Sequence, residues 1–257
     1  MTPARERSLV VPARFCGPAA SGNGGWTAGA LAALTSDTRA TVRVSLHRPP
    51  PLDTAMPVLV DEHAGTTSVT LDGTPATVVA SAVEVHGALT DVEGVSLEEA
   101  RAAEASYAGL ASHPFPTCFA CGTARAPGDG LRIFPGRVAD SVDEGADGGP
   151  LARVAASWTP DASLADDLLA ATWAAVDCVG GWAGDLTERL MVLASMTARV
   201  DALPEVGEPH VVVGEGRGIE GRKTWTASTL RDADGRVVAV AEHLWVAVDP
   251  AVFNDPA

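Results

Sequence analysis

Positive charge is scarce in this chain. Lys and Arg number 18 against 33 Asp and Glu in 257 residues, a formal charge of −15. Such a surface repels a phosphate backbone or an anionic membrane, so nucleic acid is not an expected partner. Long apolar runs are also lacking: the most apolar stretch, Leu168 to Val176, is about half of what a bilayer crossing requires. The opening MTPARERSLVVPARFCG has basic residues but neither the apolar run nor the small-residue cleavage site of a secretory signal. A soluble, cytoplasmic protein with no membrane partner is therefore expected. No G-x-x-x-x-G-K-[ST] occurs, which argues against nucleotide hydrolysis. No G-x-S-x-G elbow occurs either, which sets aside an α/β-hydrolase. Four cysteines are too few to staple a chain of this length, so chemistry or packing has to explain them. Only one Tyr and five Phe accompany six Trp, leaving a core built mostly of Ala, Val and Leu.

What is present reads as two similar series of elements. Leu9 to Phe15 is β-prone, and the turn-rich GPAASGNGG leads into a short helix over Trp26 to Leu34. Strands follow at Thr41–Leu46, Val58–Glu62, Thr67–Leu71 and Ala76–Val85, with a turn at Asp72-Gly73. Ser96 to Leu110 is helical, with Ser96 and Glu99 forming a capping box. A connector rich in Pro, Gly and Cys runs to about Gly130, and Leu131–Phe134 and Arg153–Trp158 read as strands. Between them the acidic, Gly-rich ADSVDEGADGG reads as a mobile loop. From Ser163 to Val179 the chain is helical, with Ser163 and Asp166 as its cap and Leu168, Leu169, Thr172 and Val176 on one face. Four strands close the chain: Met191–Val200, His210–Gly214, Lys223–Leu230 and Arg236–Val248.

Both halves thus place one helix before four antiparallel strands, and short text recurs: Gly24-Gly25-Trp26 against Gly180-Gly181-Trp182, DGTPATVVASAV against DGRVVAVAEH. A helix lying in the curve of a sheet, doubled and paired side by side, gives each half the partner surface it lacks alone. The runs LLAATWAAVDCVGGWA, RLMVLASMTARVDALPEVGEPHVVVG and GRKTWTASTLRDADGRVVAVAEHLWVAV, with SGNGGWTAGALAAL in the first half, resemble the tandem (double) hotdog proteins of the acyl-CoA thioesterase superfamily. Asn23 stands where that family usually has His. The resemblance implies an α+β fold with a hotdog over 1–110, a CxxC connector over 111–130 and a second hotdog over 131–257. It also implies hydrolysis of an acyl-CoA or related acyl thioester, with no cofactor. A chain already holding two hotdogs stands alone or pairs again as a homodimer.

By that resemblance the thioester carbonyl lies near a helix N-terminus, where the backbone of Gly24 and Gly25, beside Asn23, can hold a developing oxyanion. Asp177, late in an apolar helix, is the expected carboxylate for activating water or attacking, although a structural carboxylate capping nearby backbone fits the same residue. His243, on the opposite strand face from Glu242, stands where a water-orienting polar residue is expected, and Ser195 or Thr197 is the candidate hydroxyl. Arg217, Arg222 and Lys223 are either partners for CoA phosphates or a solvated hairpin tip; Arg43 and Arg48 carry the same ambiguity. Cys118 and Cys121 form half of a tetrahedral zinc site, with His113 a third ligand and Cys16 or Cys178 a fourth, or they serve redox chemistry or loop packing. A hotdog hydratase would need Asp and His spaced along one helix, a pattern not seen. A catalytically silent hotdog that binds an acyl ligand or serves assembly is the second functional reading, suggested by Asn23 and by the valine before the second Gly-Gly.

Overall fold

The computed structural model describes residues 7–35, 39–71, 76–144 and 150–249. The elements in chain order are β1 (Ser8–Leu9), α1 (Gly24–Ala32), β2 (Val42–Leu46), β3 (Met56–Asp61), β4 (Thr66–Leu71), β5 (Thr77–Glu84), α2 (Leu97–Ala103), β6 (Gly136–Glu144), β7 (Pro150–Trp158), α3 (Leu168–Ala183), β8 (Met191–Val200), β9 (His210–Glu220), β10 (Lys223–Arg231) and β11 (Val237–Ala247). All strands join one antiparallel sheet of eleven, in the order β1-β3-β4-β5-β2-β8-β11-β10-β9-β7-β6. Each half repeats the other's order outward from the seam, β2-β5-β4-β3 against β8-β11-β10-β9. The seam itself is the antiparallel pair β2–β8, running from Val42 opposite Ala198 to Ser45 opposite Ser195. No helix among the described residues is long and apolar enough to cross a membrane.

The two central helices pack against each other and against the sheet. Side chains from both feed one core that includes Trp26, Leu31, Trp173, Val176 and Trp182. Such close approach needs residues without bulk. A Cβ at Gly25 would collide with the Asp177 side chain and sit 2.8 Å from the Trp173 carbonyl oxygen; one at Gly29 would lie 2.8 Å from Ala170 Cα. Glycine at those two positions lets the helix backbones touch.

Several expectations from the sequence are corrected. Helix α3 is buried on every side from Ala170 to Ala183 rather than along one stripe, because the facing helix covers what the sheet does not. Its lead-in is a 3-10 turn over Ala162–Asp167 whose cap is Asp161, which accepts from the Ser163 N–H, and not Ser163 with Asp166. The capping by Ser96 is present, its hydroxyl accepting from Glu99 N at 3.1 Å, but α2 stops at Ala103 and continues in two 3-10 turns. Leu131–Phe134 is not a strand: the N–H groups of Leu131 and Ile133 bond to Phe119 and Ala120 of the connector instead of to a ladder. The acidic stretch is ordered through Glu144 as β6, an edge strand that tolerates polar residues because only one of its sides pairs. The rest of that stretch, 145–149, and the Asp72-Gly73 turn lie outside the described residues. The recurring Gly-Gly-Trp text opens α1 but closes α3, so it does not mark equivalent positions.

Replacing Gly25 or Gly29 by Ala should destabilise the chain by about 1–3 kcal/mol through overpacking at the helix crossing. Gly218→Ala, where an added Cβ meets nothing within 4 Å, should change stability by less than about 0.5 kcal/mol. Denaturant unfolding of the three variants against the parent protein measures both.

Candidate functional site

The site grows from the start of α1. Asn23, in extended conformation, caps the helix by accepting the Trp26 N–H on Oδ1 at 2.8 Å, which leaves its Nδ2 pointing away from the helix. That amide lies 3.5 Å from Cys178 Sγ and 3.6 Å from Cys118 Sγ. Two residues on, the Gly25 N–H donates to Asp177 Oδ2 at 2.8 Å. The other carboxylate oxygen, Oδ1, is buried without a hydrogen-bond partner. Burial pushes the Asp177 pKa up to about 8, against a downward pull from the Gly25 N–H.

These groups meet a cavity of about 330 Å³ whose walls include Asn23, Gly24, Cys118, Cys121, Asp177 and Cys178. Leu46, Leu186, Leu193 and Trp245 supply apolar lining, and the exposed side chains of His47 and Arg48 stand at its edge. Of the two glycines expected to polarise a carbonyl, Gly25 is already committed to Asp177. Gly24, at the first helical position, is the one whose N–H has no intrahelical acceptor and which lines the cavity.

The connector is built into the core rather than laid over it. Phe119 N donates to Cys16 O at 2.7 Å, and Cys118, Phe119, Ala120 and Cys121 are all buried. The sulfurs of Cys118, Cys121 and Cys178 lie within 4.8 Å of one another, Cys118 and Cys178 at 3.7 Å. Hydrogen bonds from the Cys121 thiol and then from the Cys178 thiol hold the Cys118 pKa well below its ordinary value, and the same contacts with Cys118 raise those of Cys121 and Cys178. Neither of the other proposed ligands joins them. His113 Nδ1 accepts the Phe115 N–H at 2.9 Å, so Nε2 carries the proton that points to Cys121 O at 3.1 Å, and both ring nitrogens are engaged. Cys16 donates to Thr117 O and accepts from Arg125 Nη2 at 3.0 Å.

The remaining candidates fall away from the cavity. A bulge where Leu244 passes to Trp245 shifts the β8 register, turning Leu193, Met196 and Ala198 inward. Ser195 and Thr197 consequently occupy the other face, Thr197 opposite the exposed Glu242, and do not line the cavity. Arg217 is paired with Glu215 at 2.9 Å and Asp143 at 3.8 Å, Arg222 Nε donates to Ala247 O, and Lys223 is exposed at the start of β10. Arg43 is exposed on β2, whereas Arg48 reaches the cavity. His243 faces inward, as alternation required, but packs against Gly180 beside the cavity wall instead of in it. Thr226 Oγ1 accepts from Trp245 Nε1 at 3.0 Å, and His243 Nδ1 lies 3.1 Å from that hydroxyl and 3.3 Å from Thr226 O. The ring is neutral, and burial pushes its pKa down to about 4. Its nearest role is to hold Thr226, which holds the cavity-lining Trp245. The apolar walls at Leu46, Leu186 and Leu193 had no local signal in the sequence.

No family model and no curated relative matches the chain. Solved structures of similar fold do. A tesB protein of Mycobacterium avium subs paratuberculosis aligns at 14% identity over 97% of this chain and 91% of its own, with a TM-score of 0.52. A conserved protein of unknown function with a hot dog fold from Alicyclobacillus acidocaldarius aligns at 14% identity over 97% and 96%, with a TM-score of 0.55. An acyl-CoA thioesterase II of Mycobacterium marinum aligns at 11% identity over 88% and 91%, with a TM-score of 0.53. The chain is thus similar to hotdog-fold thioesterase structures over most of its length, and its own fold is an α+β hotdog.

The His243 pKa of about 4 lies below the 6.5 of an unperturbed ring, so the unfolded chain takes the proton first as pH falls. The stability held by the neutral ring is complete above pH 6.5 and is lost between pH 6.5 and 4. The advantage of the parent protein over His243→Gln should therefore shrink by on the order of 3 kcal/mol from pH 7.5 to pH 4, read by denaturant unfolding. A gap that stays constant would mean that the ring protonates as readily folded as unfolded.

Proposed function

We propose that the chain is a tandem hotdog, with units over 1–110 and 131–257 joined by the connector 111–130, and that it hydrolyses an acyl-CoA or related acyl thioester. The repeated strand order on either side of the β2–β8 seam supports the tandem reading. One observation carries the chemistry: Asp177, which keeps one carboxylate oxygen unpartnered, and Gly24 at the α1 N-terminus line one largely apolar cavity. The similarity to thioesterase structures supports the reaction class.

The acyl chain lies against Leu46, Leu186, Leu193 and Trp245. Asp177 Oδ1 takes a proton from water as the oxygen of that water bonds to the thioester carbonyl carbon. Negative charge moves to the carbonyl oxygen, where the Gly24 N–H and the positive end of the α1 dipole stabilise it. The C–S bond then breaks, and the departing thiolate recovers the proton from Asp177. Carboxylic acid and thiol are the products. A base with a raised pKa is the stronger proton acceptor once ionised, and burial supplies that rise. CoA phosphates meet Arg48 at the cavity edge in this reading, not Arg217, whose charge is already paired.

A second reading has one specific observation in its favour. With a pKa near 8 the Asp177 carboxyl is mostly protonated at neutral pH, and its Oδ2 already serves Gly25, as a structural group would. A silent module that binds an acyl ligand, or one that serves assembly, has those properties.

Asp177→Asn decides between them, because the amide oxygen still accepts the Gly25 N–H while the base is gone. Thiol release from a panel of short, medium, long and aromatic acyl-CoAs should fall at least 100-fold in this variant with little change in Tm. A parent protein that is thermally stabilised by an acyl-CoA yet releases no thiol from any of them is the binding module. Arg48→Ala should raise KM roughly five-fold for CoA thioesters and leave KM for the matching pantetheine thioester, which lacks the nucleotide phosphates, unchanged. Arg217→Ala should alter neither.

A further inference from the structure

The three sulfurs form a cluster that hydrolysis does not use. Cys118 and Cys121 come from one tight turn of the connector and Cys178 from the middle of α3, so residues 60 or so apart in sequence are brought together in the core. A tetrahedral metal with metal–sulfur bonds of about 2.3 Å separates its sulfurs by about 3.8 Å. Cys118 and Cys178 stand 3.7 Å apart, and all three sulfurs lie within 4.8 Å of one another.

The surroundings offer N–H donors to the sulfurs. Asn23 Nδ2 donates toward both Cys118 and Cys178. The Trp182 indole N–H, on α3 one turn beyond Cys178, is buried without a hydrogen-bond partner. N–H contacts to ligating sulfur such as that of Asn23 are the outer shell that metal–thiolate sites use. The turn is shaped for it: Gly122 N donates to Cys118 O at 2.9 Å, and a Cβ at Gly122 would lie 2.6 Å from Cys118 N and from Pro116 O. Neutral thiols packed only as small hydrophobes need none of these donors.

We propose that Cys118, Cys121 and Cys178 bind one zinc ion, with its fourth position open to the cavity. Among the described residues no fourth His, Cys, Asp or Glu ligand atom groups with the three sulfurs, and His113 and Cys16 are turned to other partners. All three cysteines line the cavity, which is both the entry path for the ion and the source of an exchangeable fourth ligand. On loading, the thiols release their protons to solvent and form zinc–sulfur bonds. No oxidation state changes. The site stands whether or not the chain turns over a thioester.

The test is metal content of the full chain purified under reducing conditions without chelators, together with reconstitution. About one zinc per chain is expected, either as isolated or after adding zinc to the stripped protein. Stripping should lower Tm by on the order of 10 °C, and zinc should restore it. Cobalt in place of zinc should give an intense sulfur-to-metal charge-transfer band, and azide should shift the weaker d–d bands by entering the open position. Cys118→Ser and Cys178→Ser should each lose most of the zinc and of that band, whereas Cys16→Ser keeps both. Failure of isolated and reconstituted protein alike to hold zinc overturns the proposal, as does a Cys118–Cys178 disulfide in place of metal uptake. Full zinc retention in Cys178→Ser would overturn the three-cysteine set, and cobalt bands indifferent to azide would overturn the open position.

Discussion

The bond from the Gly25 N–H to Asp177 Oδ2 sits at the crossing of α1 and α3, and the rest of the site depends on that crossing. Two helices can approach this closely only where one presents backbone instead of side chains, which Gly25 and Gly29 do four residues apart on one face of α1. Once they touch, Asp177 is almost fully buried and its Oδ2 must find a donor inside the protein, and the first turn of a helix has donors to spare. The next residue along α3 is Cys178, which the same crossing presents to Asn23. Cap, carboxylate and sulfur cluster are consequences of one contact between the halves.

That contact also explains why a large sheet needs so little else. Eleven strands leave a broad concave surface, and two short helices cover it only if each also covers the other. Helix α3 carries Asp177 as its one ionisable carboxylate, since a charged side chain on any other face would be buried against β9, β10 or β11. Among the polar groups that do lie there, Ser228 Oγ donates to Val176 O at 2.6 Å, and Thr226 links Trp245 to His243.

Strand positions were legible because period-two alternation survives where one face is buried. Met191–Val200 runs as the sequence indicated, and the inward turn of His243 against the outward Glu242 follows from alternation alone. Faces failed where the register slips. The bulge beside Leu244 and Trp245 inverts the parity of β8, so Ser195 and Thr197, candidates because they lie on the first strand after the helix, end on the wrong side. Likewise a β-like run such as Leu131–Phe134 carries no mark of whether its N–H groups meet a strand or a loop. Asp177 could be singled out because an acid in an apolar helix is conspicuous. Cys178 as a companion of Cys118 and Cys121 could only be one option among several, since spacing along the chain says nothing about which helix a connector returns to.

The connector is where the two halves stop being equivalent. Nothing in a repeated strand order requires a buried CxxC turn, yet this one threads between Cys16 and α3, and its backbone completes the core beneath Phe15 and Trp26, which stack at 4.3 Å. A loop can be buried only if its polar groups are satisfied, and here they are: Arg125 alone reaches Thr117 O, Arg14 O and Asp129. The cavity consequently has one wall from each half and a third from the connector. The symmetry that builds the sheet therefore does not carry into the site, because α3 places Asp177 against Gly25 and Cys178 against the connector, whereas α1 supplies its open N-terminal end.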